Sequence, residues 1–301
     1  MWFSYSVVNL ICNISLRLLQ KAFVRTNARM NSFRINWLVF SVSLPVIVTL
    51  VFLNIHIITG LPTAFWLVLA AVVLGFYPAV NYLYFDVIRR NELSDVLPLF
   101  ALVPILTALF GWLFLDQHPS SRALVGIVCI FASIYTLHLR HNTTLFGPFK
   151  SLATSRSARS MGAISFITAA AAIGDKFAIQ RSSTSIYFAL NSIGALLVLG
   201  IFDLVYSRHQ SSQRGLMQEL SHLPRHQWIL LGTLGIVQIA NQISGFAAVN
   251  AATNTSYTIA IRNLNIVITS LIALVLYHES TNRYKFLSYG LSAIGVVMIA
   301  L

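Results

Sequence analysis

The chain is built from ten apolar runs of roughly 20 residues, which are separated by short polar gaps. A helix of about 20 apolar residues can cross the hydrocarbon core of a bilayer, where every backbone polar group must be bonded internally. Buried helices of a large soluble protein would need amphipathic partners with charged faces, and the sequence offers none. We therefore predict an all-α polytopic membrane protein. Its ten transmembrane helices, numbered segments 1 to 10, are predicted over residues 3–20, 35–54, 64–85, 94–115, 121–138, 160–181, 184–206, 227–249, 254–277 and 285–301.

The composition agrees with a surface that faces lipid. Only 9% of the 301 residues are charged and 57% are hydrophobic, whereas soluble domains carry about 25% charged residues. The 20 Lys and Arg outnumber the 8 Asp and Glu, but no basic helix or aromatic-rich basic sheet accompanies them, as nucleic-acid binding would require. The longest connections, 139–159 and 207–226, are shorter than the roughly 40 residues of a free-standing domain. These facts argue against a nucleic-acid partner and against an extramembrane enzyme.

Basic residues are distributed unevenly over the connections between segments. The odd-numbered connections carry 16 Lys and Arg, including Arg34, whereas the even-numbered ones carry only Arg122, Lys176 and Arg181. Cytoplasmic connections of membrane proteins are enriched in Lys and Arg. The sequence therefore predicts that the odd-numbered connections are cytosolic and both termini lie outside, with the cell (inner) membrane as the location.

The two halves of the chain resemble each other weakly. A shift of 162 residues places Trp66 on Trp228, Ser94 on Ser256, and Thr107 on Thr269. A unit of five helices crosses the membrane an odd number of times, so a second copy must sit upside down, as in many secondary transporters. We predict a first five-helix repeat over 1–138, a connecting loop over 139–159 and a second, inverted repeat over 160–301, arranged around a central cavity.

Polar side chains recur at helical spacing inside five segments. Hydrocarbon penalises such groups, so each faces another helix or a polar cavity. An interhelical hydrogen bond, worth about 0.6–2 kcal/mol, could explain any single residue, whereas five stripes together favour one shared cavity. Asn9 and Gln242 belong to these stripes. The candidate substrate-binding residues are Asn13, Tyr77, Asn81, Tyr187, Asn191, Gln238, Asn241, Thr258, Arg262, Asn265 and Thr269.

Arg262 is the most informative of these candidates. A centrally placed Arg costs about 2.5–3.5 kcal/mol on insertion, so some partner should offset its burial. Few acids lie at membrane depth, and the natural partner is therefore an anionic or zwitterionic substrate. Two structural roles compete with this interpretation: the guanidinium could snorkel to the nearby interface, or it could pair with Asp175.

The remaining titratable residues give no signature of catalysis. Asp175, Lys176 and Asp203 are predicted to be interfacial rather than to couple transport to an ion. His222 and His226 have the spacing of metal ligands, but Pro224 interrupts the helical face between them and two ligands do not close a site. No nucleophile elbow or phosphate-binding glycine loop is present. We predict no enzyme activity, no metal and no cofactor.

The stretch 91–137 resembles the end of an EamA domain, which belongs to the drug/metabolite transporter superfamily. The residues that carry the resemblance are Ser94, Pro104, Thr107, the Asp116-Gln117 turn and Gly126, with Ser256, Thr269, Glu279 and Gly295 in the second half. Ile266 stands where the second copy would have proline. The resemblance implies ten helices in two inverted repeats and transport of metabolites, amino acids, nucleotide sugars or drugs. It also implies cytosolic termini, the opposite of the orientation that the charge count predicts.

The same resemblance bears on the substrate. In the triose-phosphate and nucleotide-sugar branches the ninth helix carries a basic pair; Arg262 matches its first member, while Asn263 replaces the second. That replacement weakens the case for a phosphate. Small cationic-drug exporters of the superfamily rely on an acid in the first helix, and segment 1 has none.

Together these features predict a secondary transporter, an exporter or exchanger, for a small polar, anionic or zwitterionic metabolite that works by alternating access. One alternative is a flippase for a lipid-linked head group, and another is a non-transporting membrane scaffold, which has no need of buried polar stripes. The predicted partners are the small-molecule substrate and the lipid bilayer, without nucleic acid, and the predicted assembly is a monomer or homodimer.

Overall fold

The structure is a computed structural model that describes residues 1–26, 30, 32–80, 83, 102–137, 156–209, 223–277 and 283–300. These residues form helices and contain no strand. The helices are α1 (Trp2–Thr26), α2 (Ser32–Ser41), α3 (Leu44–Leu53), α4 (Ile55–Thr59), α5 (Thr63–Ala70), a π-helical stretch (Ala71–Phe76), α6 (Leu102–Leu115), α7 (Ser121–Leu137), α8 (Arg156–Arg181), α9 (Thr184–His209), α10 (Arg225–Ala251), α11 (Thr255–Tyr277) and α12 (Arg283–Ala300).

Several of these helices are long and apolar enough to cross a membrane. Five such spans lie within the described residues, over Trp2–Gln20, Thr63–Val80, Arg159–Arg181, Thr184–Val205 and Arg225–Ala251. A sixth is formed if α2 and α3, which are bent by 54°, act as one span. Leu102–Leu115, Ser121–Thr136 and Phe286–Ile299 are shorter apolar helices. The chain is therefore an integral, multi-pass membrane protein.

Two predicted segments are less regular than the sequence suggested. Segment 2 was predicted as one helix over 35–54 but breaks after α2, because Pro45 in the first turn of α3 has no amide hydrogen to continue the helical ladder. The hydroxyl of Ser43 at the break donates to the Phe40 carbonyl at 2.5 Å. Segment 3 changes from α5 into the π-helical stretch Ala71–Phe76. The short helix α4 lies between them and was not predicted.

Among the described helices, the most extensive contact joins α7 and α12. A Cβ atom added to Gly126 would lie 2.7 Å from the Gly295 carbonyl oxygen, and one added to Gly295 would lie 2.8 Å from the Gly126 carbonyl oxygen. Nearby, the buried Ser133 hydroxyl donates to the Ser288 carbonyl at 2.7 Å. Small residues let two helix backbones approach in this way, and the gain is van der Waals packing rather than the hydrophobic effect.

Replacing Gly126 with alanine should therefore destabilise the protein by about 1–3 kcal/mol, because the added methyl group forces α7 away from the backbone of α12. The expected observation is a lower midpoint of unfolding in detergent. The matched control is Gly290→Ala on α12, where the added Cβ would meet nothing within 4 Å. The control should be neutral or slightly stabilising, since Ala favours helix over Gly. Equal effects of the two substitutions would contradict this account of the contact.

Candidate functional site

A cavity of about 310 Å³ lies between α1, α2, α8, α9, α10, α11 and Tyr77, the residue that follows the π-helical stretch. Its volume falls at the small end of the range for ligand pockets. The apolar part of the wall includes Phe40 on α2 and Phe246 on α10. The polar side chains that line it are Asn9, Gln20, Asn36, Tyr77, Asp175, Gln238, Asn241, Gln242 and Arg262. The cavity can therefore hold a small molecule that carries several hydrogen-bonding groups and charge.

Four of the predicted binding residues line this cavity: Tyr77, Gln238, Asn241 and Arg262. Arg262 is the eighth residue of α11, which at 1.5 Å per residue places it about 10 Å along the helix. Its side chain is half-buried. Arg262 therefore lines the cavity from a position about two turns after the start of α11.

Other predicted binding residues bond to protein groups instead of lining the cavity. The Asn265 amide on α11 donates to Asn13 Oδ1 on α1 at 2.6 Å. The Thr258 hydroxyl donates to the Thr255 carbonyl at 2.9 Å. Asn191 on α9 donates to the Tyr77 hydroxyl at 3.2 Å, behind the cavity wall. Interhelical bonding, the simpler of the two explanations for a buried amide, therefore accounts for the Asn13–Asn265 pair. Asn81 and the side chain of Thr269 lie outside the described residues.

Asp175 lies on the cavity wall, although the sequence placed it at the interface. Its Oδ1 accepts a hydrogen bond from the Tyr187 hydroxyl at 2.5 Å. Tyr187 is fully buried and packs edge-on against Phe65 and Phe246, with ring centroids 6.4 and 5.0 Å apart. Asp175 and Arg262 line the same cavity. Among the described residues of its wall, the cavity therefore carries one group of each charge.

Lys176, the next residue on α8, has a different position from its neighbour. It is 3% exposed, and its Nζ donates to the carbonyls of Val249, Asn250 and Ala252 at 2.7, 2.9 and 2.9 Å. These carbonyls lie at the C-terminal end of α10, where orphan acceptors and the helix dipole favour a cation. Lys176 is therefore a helix cap rather than a loop charge.

The N-terminal end of α11 has a similar partner. The side chain of Gln117, between α6 and α7, accepts a hydrogen bond from the Thr255 amide at 2.9 Å. Gln117 can turn back because Asp116 adopts the left-handed conformation with φ of 53°, and the Gln117 amide donates to the Gly111 carbonyl at 3.0 Å. Side chains from α8 and from the α6–α7 turn thus hold both sides of the link between α10 and α11.

Asp203, near the end of α9, is buried inside the protein. Both carboxylate oxygens accept from Arg34 Nε, at 3.3 and 3.2 Å, which joins α9 to α2. The two residues are 7% and 3% exposed. Arg34 is one of the basic residues of the odd-numbered connections and Lys176 one of those of the even-numbered connections. Leaving both buried residues out of the comparison keeps the excess of Lys and Arg in the odd-numbered connections.

Five polar residues of the cavity wall were not among the predicted binding residues: Asn9, Gln20, Asn36, Asp175 and Gln242. Asn9 and Gln242 belong to polar stripes that the sequence revealed. Asn9 Nδ2 donates to the main-chain and side-chain oxygens of Asn241 at 2.6 and 3.0 Å, and so fixes α1 to α10. Gln20 and Asn36 border the basic stretch between segments 1 and 2, which gave no polar-stripe signal. Among the residues with described positions, no cluster of three or more His, Cys, Asp or Glu could hold a metal ion.

Comparison with known proteins identifies the family. One protein of known crystal structure has the same fold, with a TM-score of 0.70 over 98% of this chain and 94% of that chain, at 13% sequence identity. A search of curated proteins gave no match. The sequence profile of the EamA-like transporter family matches residues 17–139 and again residues 161–301. These two matches span most of the sequence and confirm the resemblance drawn from its motifs: the chain belongs to the EamA-like transporter family.

Proposed function

We propose that the protein is a secondary transporter that carries a small anionic or zwitterionic metabolite across the membrane by alternating access. The observation that carries the proposal is a polar cavity of about 310 Å³ inside a helical membrane bundle, with Arg262 on its wall. A guanidinium binds a carboxylate or phosphate through two parallel hydrogen bonds, which are strong where water is excluded. Such a group in a membrane interior normally marks a pathway for substrate or ions.

We further propose ten membrane helices in two inverted repeats, over 1–138 and 160–301. The helix contacts support this arrangement, because exchanging each segment with the one five places later turns the most extensive of the observed contacts into other observed contacts. Segment 1 (α1) packs on segments 8 and 9 (α10 and α11), and segment 6 (α8) packs on segments 3 and 4 (α5 and α6). The pairs α2–α9, α6–α11 and α7–α12 map onto themselves. Two such halves can rock around a central site.

The test is a ligand screen followed by transport. Purified protein would be screened against carboxylates, phosphates, sulfonates and amino acids by thermal unfolding, because a ligand at 100 times its Kd adds about 2.7 kcal/mol of stability. Each stabilising compound would then be measured in counterflow with proteoliposomes. We expect saturable exchange of at least one small anion or zwitterion. Binding without exchange would favour a scaffold, and movement of a labelled lipid head group instead would favour the flippase.

The orientation gives a separate prediction. With Cys12 and Cys129 replaced by serine, a cysteine placed at Thr143 should react with a membrane-impermeant thiol reagent only after the membrane is opened. The reason is the excess of Lys and Arg in the odd-numbered connections. For the same reason the sequon Asn142-Thr143-Thr144 should stay unglycosylated in a eukaryotic host. Labelling in intact cells would reverse the topology and restore the family's usual orientation.

A further inference from the structure

Asp175 places a carboxylate in the cavity that contains Arg262. Among the described residues that line the cavity, it is the only acid. The buried Tyr187 hydroxyl donates a hydrogen bond to Asp175 Oδ1 at 2.5 Å. This bond fixes the position of the carboxylate, and Asp175 also lines the cavity. Its neighbour Lys176 is engaged with the three carbonyls at the end of α10.

These two opposite charges restrict which ligands fit. A simple anion bound to Arg262 would also be repelled by the negative charge of Asp175, and inside a protein, where the effective dielectric constant is lower than in water, such repulsion is stronger than in solution. A simple cation would meet the opposite problem at Arg262. A molecule that carries a positive and a negative charge a few atoms apart can pair with both Asp175 and Arg262. The cavity then selects such a molecule over a singly charged ligand by repulsion as well as by attraction.

We infer that Asp175 is a specificity-determining residue that accepts the cationic group of the substrate, so that the transported class is small zwitterions with an ammonium and an acid group. This inference rests on the proposed transport function. Arg262 receives the acid group, Asp175 receives the ammonium, and Tyr187 keeps the carboxylate in position. The cavity volume of about 310 Å³ limits the class to small molecules.

The test compares matched ligands on matched variants. The probes are neutral α-amino acids and taurine, each paired with the acid of the same skeleton that lacks the amino group. In wild-type protein at least one zwitterion should bind tenfold or more tightly than its paired acid. Asp175→Asn should weaken that zwitterion about tenfold to hundredfold, the range expected for one charge-assisted hydrogen bond. The paired acid should bind the variant as well as, or better than, wild type.

Two further variants keep the result interpretable. Asp175→Asn retains an oxygen that can accept from Tyr187, and circular dichroism and size-exclusion profiles report whether it folds. Asp175→Glu keeps the charge and should retain a preference for the zwitterion. Asp116→Asn removes a carboxylate that is 94% exposed, outside the cavity, and should change nothing.

Three outcomes would overturn the inference. If wild-type protein binds and exchanges the paired acids but no zwitterion, Asp175 does not select a cationic group, although the proposed transport function stands. If Asp175→Asn binds both probes normally but loses proton-driven uptake, the carboxylate carries a proton instead. If neither class binds or exchanges, the proposed function fails together with the inference.

Discussion

Arg262→Gln is expected to weaken substrate binding by about a hundredfold and to reduce transport to background. The substitution removes the positive charge and the two parallel N–H donors of the guanidinium at the cavity wall. Arg262→Lys keeps the charge but cannot form two parallel hydrogen bonds, so a smaller loss, of about tenfold, is expected. The measurements are thermal-shift titration of the purified protein and counterflow in proteoliposomes, with reconstituted protein quantified in each sample.

The control for this pair is Arg122→Gln, which removes an exposed arginine at the start of α7 and should leave binding unchanged. Arg262→Gln should also fold, since glutamine is a good helix former and the position borders a polar cavity. Wild-type binding of every ligand by both Arg262 variants would show that the arginine is structural, and would refute an anionic or zwitterionic substrate.

Asp203→Leu is expected to destabilise the protein by about 3–5 kcal/mol, because it leaves the buried Arg34 guanidinium without the carboxylate that accepts from its Nε. Replacing both partners, with Arg34→Met and Asp203→Leu together, should recover most of that loss, since no uncompensated charge stays buried. The pair should therefore show strong coupling between α2 and α9.

The measurement is unfolding by SDS in mixed micelles, with the four proteins of a double-mutant cycle compared under one condition. Coupling appears as a double variant more stable than the sum of the two single losses predicts. Additive losses, or a cost of Asp203→Leu below about 1 kcal/mol, would show that the ion pair contributes no more than an exposed one. Transport by the double variant, measured in the same preparation, reports whether the pair has a role beyond stability.

The positions of most described helices could be predicted because hydrocarbon imposes length and polarity on each span. Tyr77, Gln238, Asn241 and Arg262 could be predicted for the same reason: a polar group in an apolar run is conspicuous. The distinction between Arg262, which lines the cavity, and Asn265, which bonds to Asn13, could not be predicted. Both belong to one stripe on α11, and only the neighbouring helices decide which polar group reaches the cavity and which meets another amide.

The charged residues show a different limit of the sequence. Asp175 and Lys176 are adjacent, and both were predicted to be interfacial because they end an apolar run. Successive side chains on a helix point about 100° apart, so the rotation of α8 within the bundle sends one to the cavity and the other to α10. That rotation is set by packing against several helices and has no local signal. The break at Pro45 did have one, because proline cannot donate within a helix.

The caps on the link between α10 and α11 have a mechanical consequence. Lys176 donates hydrogen bonds to carbonyls at the end of α10, and Gln117 accepts one from the first amide of α11. Residues 252–254 are therefore held from both sides between the helices that carry Gln238 and Arg262. Because Lys176 directly follows Asp175 on α8, a displacement of this end of α8 that moves the Asp175 carboxylate on the cavity wall also moves the ammonium group bound to the carbonyls of α10. The cavity wall and the link between α10 and α11 are therefore coupled through two consecutive residues of one helix.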